Sequence, residues 1–319
     1  MQILRQVFLA LALLPLFAFC SPNTRLADRR GEITAALAAK LDLFSQYAAA
    51  IYCVNNGINP RGVAVTCDAG TCPQVEAAQA VVFGNFYNVG MYSTTGMVAV
   101  DPLNKHIVLV FRGAEGIGDQ SAAVSDLIPC ATICAGCRCH DGFYGTWTVV
   151  RDQATTLVAA AQEMYPTYSL VVAGHSLGAA QAIFAAAEFR TNGTAAMLYT
   201  YGQPQVGDEG LARHITHQGH NYRVTHTDDP APHLPVNGSS LGYVHNSPEF
   251  WIYKDANANF TVAPDQIRVI HGVNSTLGNA GIDLDNVTVG SAISAHVEYF
   301  QPQIALCYTS VQPVATTVP

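Results

Sequence analysis

The chain has 319 residues, 50% of them hydrophobic, with 15 Lys+Arg against 23 Asp+Glu and a formal net charge of −8. This length and apolar content allow a large buried core in one domain or two. The acidic balance argues against a nucleic-acid partner, because such binding rests on neutralising phosphates.

Residues 1–20 read as a signal peptide. Arg5 precedes an apolar run from Val7 to Phe19, and Ala18 and Cys20 stand at the −3 and −1 positions of a cleavage before Ser21. That run is broken by Pro15 and is too short to span a bilayer, which takes about 20 residues. Secretion is therefore expected, with no stable membrane insertion. Residues 21–30 are polar and end in Asp28-Arg29-Arg30, the dibasic end of a propeptide. Losing residues 1–30 removes four basic side chains (Arg5, Arg25, Arg29, Arg30) and one acidic (Asp28), which moves the net charge from −8 to −11.

From Ile33 to Val54, Leu37, Leu41, Phe44, Tyr47 and Ile51 recur at helical spacing. Strand-like runs follow at Gln79–Phe86, Met97–Asp101 and His106–Phe111. Gly145–Met164 has helical composition and stops before Pro166. Next come a β-branched run at Tyr168–Ala173 and a stretch of helix formers at Ala179–Glu188. A strand is expected at Ala196–Tyr201, a helix around Asp208–Gln218, and strands at Asn221–His226, Phe250–Tyr253 and Gln266–Ile270. This alternation predicts an α/β fold with a mainly parallel sheet, as a single domain over 31–309. Residues 310–319 read as a flexible tail.

Eight cysteines remain after the signal segment, at 53, 67, 72, 130, 134, 137, 139 and 307. An even number in an oxidising compartment points to disulfides. Cys130, Cys134, Cys137 and Cys139 are too crowded for a structural zinc site, which needs two separated ligand pairs. His214, His217 and His220 read as the wet face of a helix end. No metal is expected. Sequons at Asn192, Asn237, Asn259, Asn274 and Asn286 are candidate glycosylation sites.

The chemistry centres on Gly174-His175-Ser176-Leu177-Gly178. A serine between an apolar strand and a helix, with glycine two residues to either side, has the form of a nucleophile elbow. Serine needs a base oriented by an acid, and in elbow enzymes these follow in the order serine, acid, histidine. Asp228 and Asp229 both directly follow an expected strand, and His233, His245, His271 and His296 come later. The pattern of residues does not choose among them. The amide of Leu177, directly after the serine, is one expected oxyanion donor.

Across roughly residues 34–307 the chain resembles the secreted fungal class 3 lipases, which are α/β-hydrolases. The likeness is carried by Gln46–Cys53, Val110–Gly113, Ile133–Cys137, Gly174–Gly178, Tyr201–Gly207, Thr225–Pro230, Ser247–Ile252 and Ala295–Phe300. It implies Asp229 as the acid, His296 as the base, and Ala114 as the second oxyanion amide. Many relatives carry Ser or Thr where Ala114 stands, so the added hydroxyl is missing here. Tyr52 resembles a family tyrosine near the oxyanion hole and is a candidate for the substrate pocket, or else core, and His175 is expected to support the elbow. The resemblance also implies the disulfides Cys53–Cys307, Cys67–Cys72 and Cys134–Cys137, which leaves Cys130–Cys139 as an additional pair.

By the same resemblance a short lid falls within Glu115–Leu127, where Ile117, Val124 and Leu127 are the large apolar residues. So little apolar area predicts weak interfacial activation. Ala231, Leu234, Val236 and Val297 lie beside the expected acid and base and are candidates for an acyl pocket, or else core. The expected activity is that of a serine ester hydrolase cleaving acylglycerols without a cofactor, with at most transient contact with a lipid–water interface. The alternatives are a feruloyl esterase or general carboxylesterase, a protease using the same triad and, outside catalysis, a lipid-binding relative.

Overall fold

The structure, a computed structural model, describes residues 33–114, 126–235, 238–254, 261–285, 287–300 and 303–309. The expected signal peptide, propeptide and tail lie outside these residues. So do Glu115, Ile117, Val124 and Val236, and the sequons at Asn237, Asn259 and Asn286.

Helix α1 (Ala35–Ala50) starts where the Thr34 side chain accepts from the Leu37 amide, which satisfies one of the free amides of the first turn. It ends earlier than its periodicity predicts. The Asn56 side chain donates to the Ala50 carbonyl at 2.8 Å, closing the last turn, and a separate short helix α2 (Val54–Ile58) follows. A further short helix, α3 (Pro73–Ala77), opens on proline.

Strands β1 (Val81–Val89), β2 (Thr94–Asp101) and β3 (His106–Phe111) run antiparallel. Strands β6 (Ser169–His175), β7 (Ala196–Tyr201), β8 (Asn221–His226) and β9 (Glu249–Ile252) then add in parallel to β3. β10 (Ile267–Ile270) closes the far edge antiparallel to β9. The sheet order is β1-β2-β3-β6-β7-β8-β9-β10.

Side chains alternate between the two faces of each strand, and both faces are covered. Val108 and Val110 join a cluster with Phe44 and Tyr47 of α1. Ile107, Leu109 and Phe111 join a cluster on the other face, with α4 (Asp141–Thr148), α5 (Arg151–Met164) and α6 (Leu177–Thr191). Covering both faces explains the near-continuous apolar runs of the central strands.

The stretch Gly145–Met164 is two helices rather than one. Val149 and Val150 lie between them and, like Thr146 and Thr148 in the last turn of α4, are stiff at the first side-chain torsion. The hydroxyls of Thr146 and Thr148 bond back to the carbonyls of Phe143 and Gly145, offering the backbone an alternative to the helix ladder. Helix α7 (Glu209–Gln218) is capped by Asp208. His214 accepts there from Gln218 at 2.9 Å.

Leu127, expected at the end of a lid, is a strand residue. It lies in β4 (Leu127–Pro129) and pairs with His140 of β5 (Arg138–His140). Its carbonyl accepts from the Arg138 guanidinium at 2.5 Å. Two nested disulfides, Cys130–Cys139 and Cys134–Cys137, close the loop between these strands.

Cys67 is bonded to Cys72, and Cys53 to Cys307 across a sequence separation of 254. In the chain-entropy account a bridge over so long a loop contributes at most about 5 kcal/mol, by restricting the unfolded chain. Replacing Cys53 and Cys307 together by alanine should lower the urea midpoint strongly. A loss under about 1 kcal/mol would show that the bridge adds little beyond local contacts. Among the described residues no helix is long and apolar enough to cross a membrane.

Candidate active site

Ser176 sits between the end of β6 and the start of α6, at φ +57 and ψ −124. A non-glycine residue in this region is strained, and the left-handed position is the serine itself rather than a flanking glycine. The glycines serve close approach instead. A Cβ on Gly174 would lie 2.2 Å from the Gly178 carbonyl oxygen, and one on Gly178 would lie 2.2 Å from that of Phe111.

His296 is the penultimate residue of α8 (Val289–Val297), at its C-terminal end. Its Nε2 lies 3.0 Å from Ser176 Oγ and its Nδ1 lies 2.9 Å from Asp229 Oδ1. Asp229 follows β8 and is fully buried. Burial pushes its carboxyl upward, but His296, the Tyr299 hydroxyl and the Ala231 amide together hold it below the ordinary carboxylate range. Burial pushes His296 down, yet the charge and hydrogen bond of Asp229 raise it above its ordinary value. Gly202 leaves room for this pair, since a Cβ there would meet Asp229 Oδ2 at 2.8 Å.

Of the other candidates, Asp228 accepts from the Ser291 hydroxyl at 2.9 Å and so ties the acid turn to α8. His233 and His245 bond to the carbonyls of Asn279 and Pro232 respectively, and the structure does not bring them to Ser176. His271 lies on an exposed stretch after β10.

The Leu177 amide opens α6, where free amides and the helix dipole favour negative charge. The backbone before Ala114 crosses close above the elbow. A Cβ on Gly113 would lie 2.8 Å from the His175 carbonyl and 3.3 Å from Ser176 Cβ. Ala114 itself is half-buried.

His175 joins these parts. Its Nε2 lies 2.7 Å from the His296 carbonyl, so that nitrogen carries the proton and donates. Its Nδ1, 2.8 Å away, accepts from the Tyr52 hydroxyl, which also hydrogen-bonds to the Gly113 backbone. Burial, with His296 beside it, pushes His175 down to about 3, which keeps it neutral. Tyr52→Phe should cost roughly tenfold in kcat/KM, the order of one lost buried hydrogen bond. Initial rates on a soluble ester check this, and an unchanged rate would contradict it.

Among the pocket candidates, Ala231 is buried and its amide donates to Asp229 Oδ1 at 2.8 Å. Leu234 and Val297 are half-buried. The Leu234 carbonyl accepts from the Gln205 amide.

A family model described as Lipase (class 3) matches residues 108–239, and another described as Lipase 3 N-terminal region matches 13–82. A secreted mono- and diacylglycerol lipase A from Penicillium cyclopium is 41% identical over 266 residues, covering 82% of this chain and 85% of its own. The chain belongs to the class 3 lipases.

Another member, secreted mono- and diacylglycerol lipase 1 from Fusarium solani, is 36% identical over 94% of this chain and 90% of its own length. The crystal structure of the mono- and diacylglycerol lipase from Aspergillus oryzae is 39% identical with a TM-score of 0.79, covering 86% of this chain and 99% of that one. In this class 3 lipase, Tyr299, which donates to Asp229 Oδ2, lies within the matched run Ala295–Phe300, but nothing in the sequence marked it as a partner of the acid. Asn279 carried no signal at all.

Proposed function

We propose that this class 3 lipase is a secreted serine ester hydrolase that cleaves acylglycerols through an acyl-enzyme on Ser176. The observation that carries the reading is the unbroken hydrogen-bonded line from Ser176 Oγ through His296 to the buried Asp229. His296 Nε2 takes the serine proton as Oγ attacks the ester carbonyl. Asp229 holds Nδ1 protonated and stabilises the imidazolium that forms. The amides of Leu177 and Ala114 donate to the developing oxyanion; one such donor is worth about 3–4 kcal/mol. His296 then protonates the departing alcohol, and water releases the acid by the same route. The names of the relatives at 36–41% identity support mono- and diacylglycerols as the first substrates to try.

Secretion belongs to the same reading, with residues 1–20 as signal and 21–30 as propeptide. Of the described sequons, Asn192 at the end of α6 and Asn274 after β10 are both exposed. A panel of nitrophenyl esters of rising chain length, emulsified mono-, di- and triacylglycerols, and methyl ferulate tests the substrate class. Turnover is expected on the glycerides, and turnover confined to ferulate would overturn the reading. The small apolar content of residues 115–127 supports weak interfacial activation. Activity on a short-chain ester should rise smoothly through its solubility limit, and a sharp jump there would contradict this.

A further inference from the structure

The acid turn is held from behind by a side chain that sequence reading passed over. Asn279 lies fifty residues after Asp229, in the irregular stretch that follows β10, and is fully buried. Its Nδ2 donates to two carbonyls of the acid turn, that of Thr227 at 3.2 Å and that of Asp229 at 3.0 Å. The turn between them passes through Thr227 at φ +31, a backbone conformation that threonine enters only under restraint. Two carbonyl dipoles converging on one point repel each other unless a donor stands between them.

Asn279 is itself held through its backbone, while its Oδ1 is buried without a hydrogen-bond partner. Its amide donates to Glu249 Oε1 at 3.1 Å, and Glu249 is paired with Arg223 in the sheet at 3.2 Å. Its carbonyl accepts from the Ile282 amide and from His233 Nε2. The preceding Gly278 has no room for a side chain, since a Cβ would lie 2.6 Å from Glu249 Oε2. A buried ion pair thus serves as the anchor, Asn279 as the bracket, and the carboxylate-bearing turn as the load.

We propose that Asn279 is a positioning residue for the triad, setting the Asp229 carboxylate against His296 by clamping the Thr227 and Asp229 carbonyls. The inference rests on the catalytic reading of Ser176, His296 and Asp229 given above. It acts through geometry, where a displacement of about 1 Å at a reacting group can cost on the order of a hundredfold in rate. The titratable groups that face His296 are Asp229 from the acid turn and His175 from the elbow. Tyr299 follows it in the chain, and His226 of β8 bonds to the neighbouring Ala295 carbonyl at 3.0 Å.

The test is Asn279→Ala in the full enzyme, with active sites counted by a fluorophosphonate probe. The expected result is a kcat per active site lower by roughly thirtyfold, with KM within about twofold. The acidic limb of kcat/KM should shift to lower pH, because His296 loses part of its coupling to Asp229. The downfield NMR resonance of the His296 Nδ1 proton should weaken in parallel. A variant that melts earlier but keeps kcat, limb and resonance would make Asn279 a purely structural residue and overturn the proposal.

If Asn279→Ala does not fold, Trp251→Phe takes its place. That change removes the indole donor to the Thr227 carbonyl, at 3.2 Å, along with part of the ring that faces Arg268 and Tyr253, and should move the same three readouts less far in the same direction. No movement in any of them would equally overturn the proposal. Failure of the underlying triad reading would look different, because the wild-type enzyme itself would then take no probe at Ser176.

Discussion

Replacing Ser176 with alanine should lower kcat by about 10⁶-fold, the scale seen when the nucleophile of a serine triad is removed. The loss is so large because the alternative to Oγ attack is direct attack by water, with only the oxyanion amides and substrate positioning left to help. These residual terms typically leave 10³–10⁴-fold over the uncatalysed reaction. KM should change little, since Ser176 contributes no binding surface beyond one hydroxyl. Stability should hold as well. The Ser176 side chain makes no capping bond to α6, and alanine bears the same strain at φ +57. Steady-state kinetics beside a melting curve separate the two effects. A variant that folds and retains even a hundredth of the activity would remove Ser176 from the chemistry.

Asp229→Asn should reduce kcat by about 10⁴-fold, for a different reason. The carboxylate accepts from His296 Nδ1 and so leaves Nε2 free of its proton and aimed at Ser176. An amide can present its NH2 to Nδ1 instead. The proton then moves to Nε2, and the base can no longer accept from the serine. The pH profile gives an independent reading.

Burial alone would push His296 below its ordinary value, but the charge and hydrogen bond of Asp229 reverse that and raise it. Activity needs the neutral imidazole. The wild-type rate should therefore fall as pH drops through a point above the ordinary histidine value of about 6.5. Without the Asp229 charge, burial dominates and this limb should move to lower pH. A limb that stays in place, or moves up, would mean that Asp229 is not the group acting on His296.

Much of this was legible in the chain. β7 (Ala196–Tyr201) and β8 (Asn221–His226) begin and end where their β-branched and aromatic runs do, because central parallel strands are selected for burial on both faces. The elbow was legible too, because its glycines meet backbone carbonyls of near neighbours in the fold. Other features rest on side-chain hydrogen bonds, near or distant in the chain, which apolar periodicity does not encode. The end of α1 is set by Asn56 reaching back to Ala50, and the break before α5 by hydroxyls that bond within their own turn.

The choice of Asp229 over Asp228 is of this kind. Both follow β8, yet one carboxylate is turned inward to His296 while the other bonds outward to Ser291. Resemblance separated them where spacing did not. Leu127 ends the expected lid stretch, and its pairing in a short hairpin stapled by two disulfides was not legible from its spacing.

The most direct test is a crystal structure of the enzyme after reaction with an alkyl fluorophosphonate, whose adduct mimics the tetrahedral intermediate. The account predicts phosphorus bonded to Ser176 Oγ, with the phosphoryl oxygen about 2.7–3.1 Å from the amide nitrogens of Ala114 and Leu177. His296 should stay within hydrogen-bonding reach of the adduct. An adduct on another side chain, or a phosphoryl oxygen turned away from both amides, would contradict it.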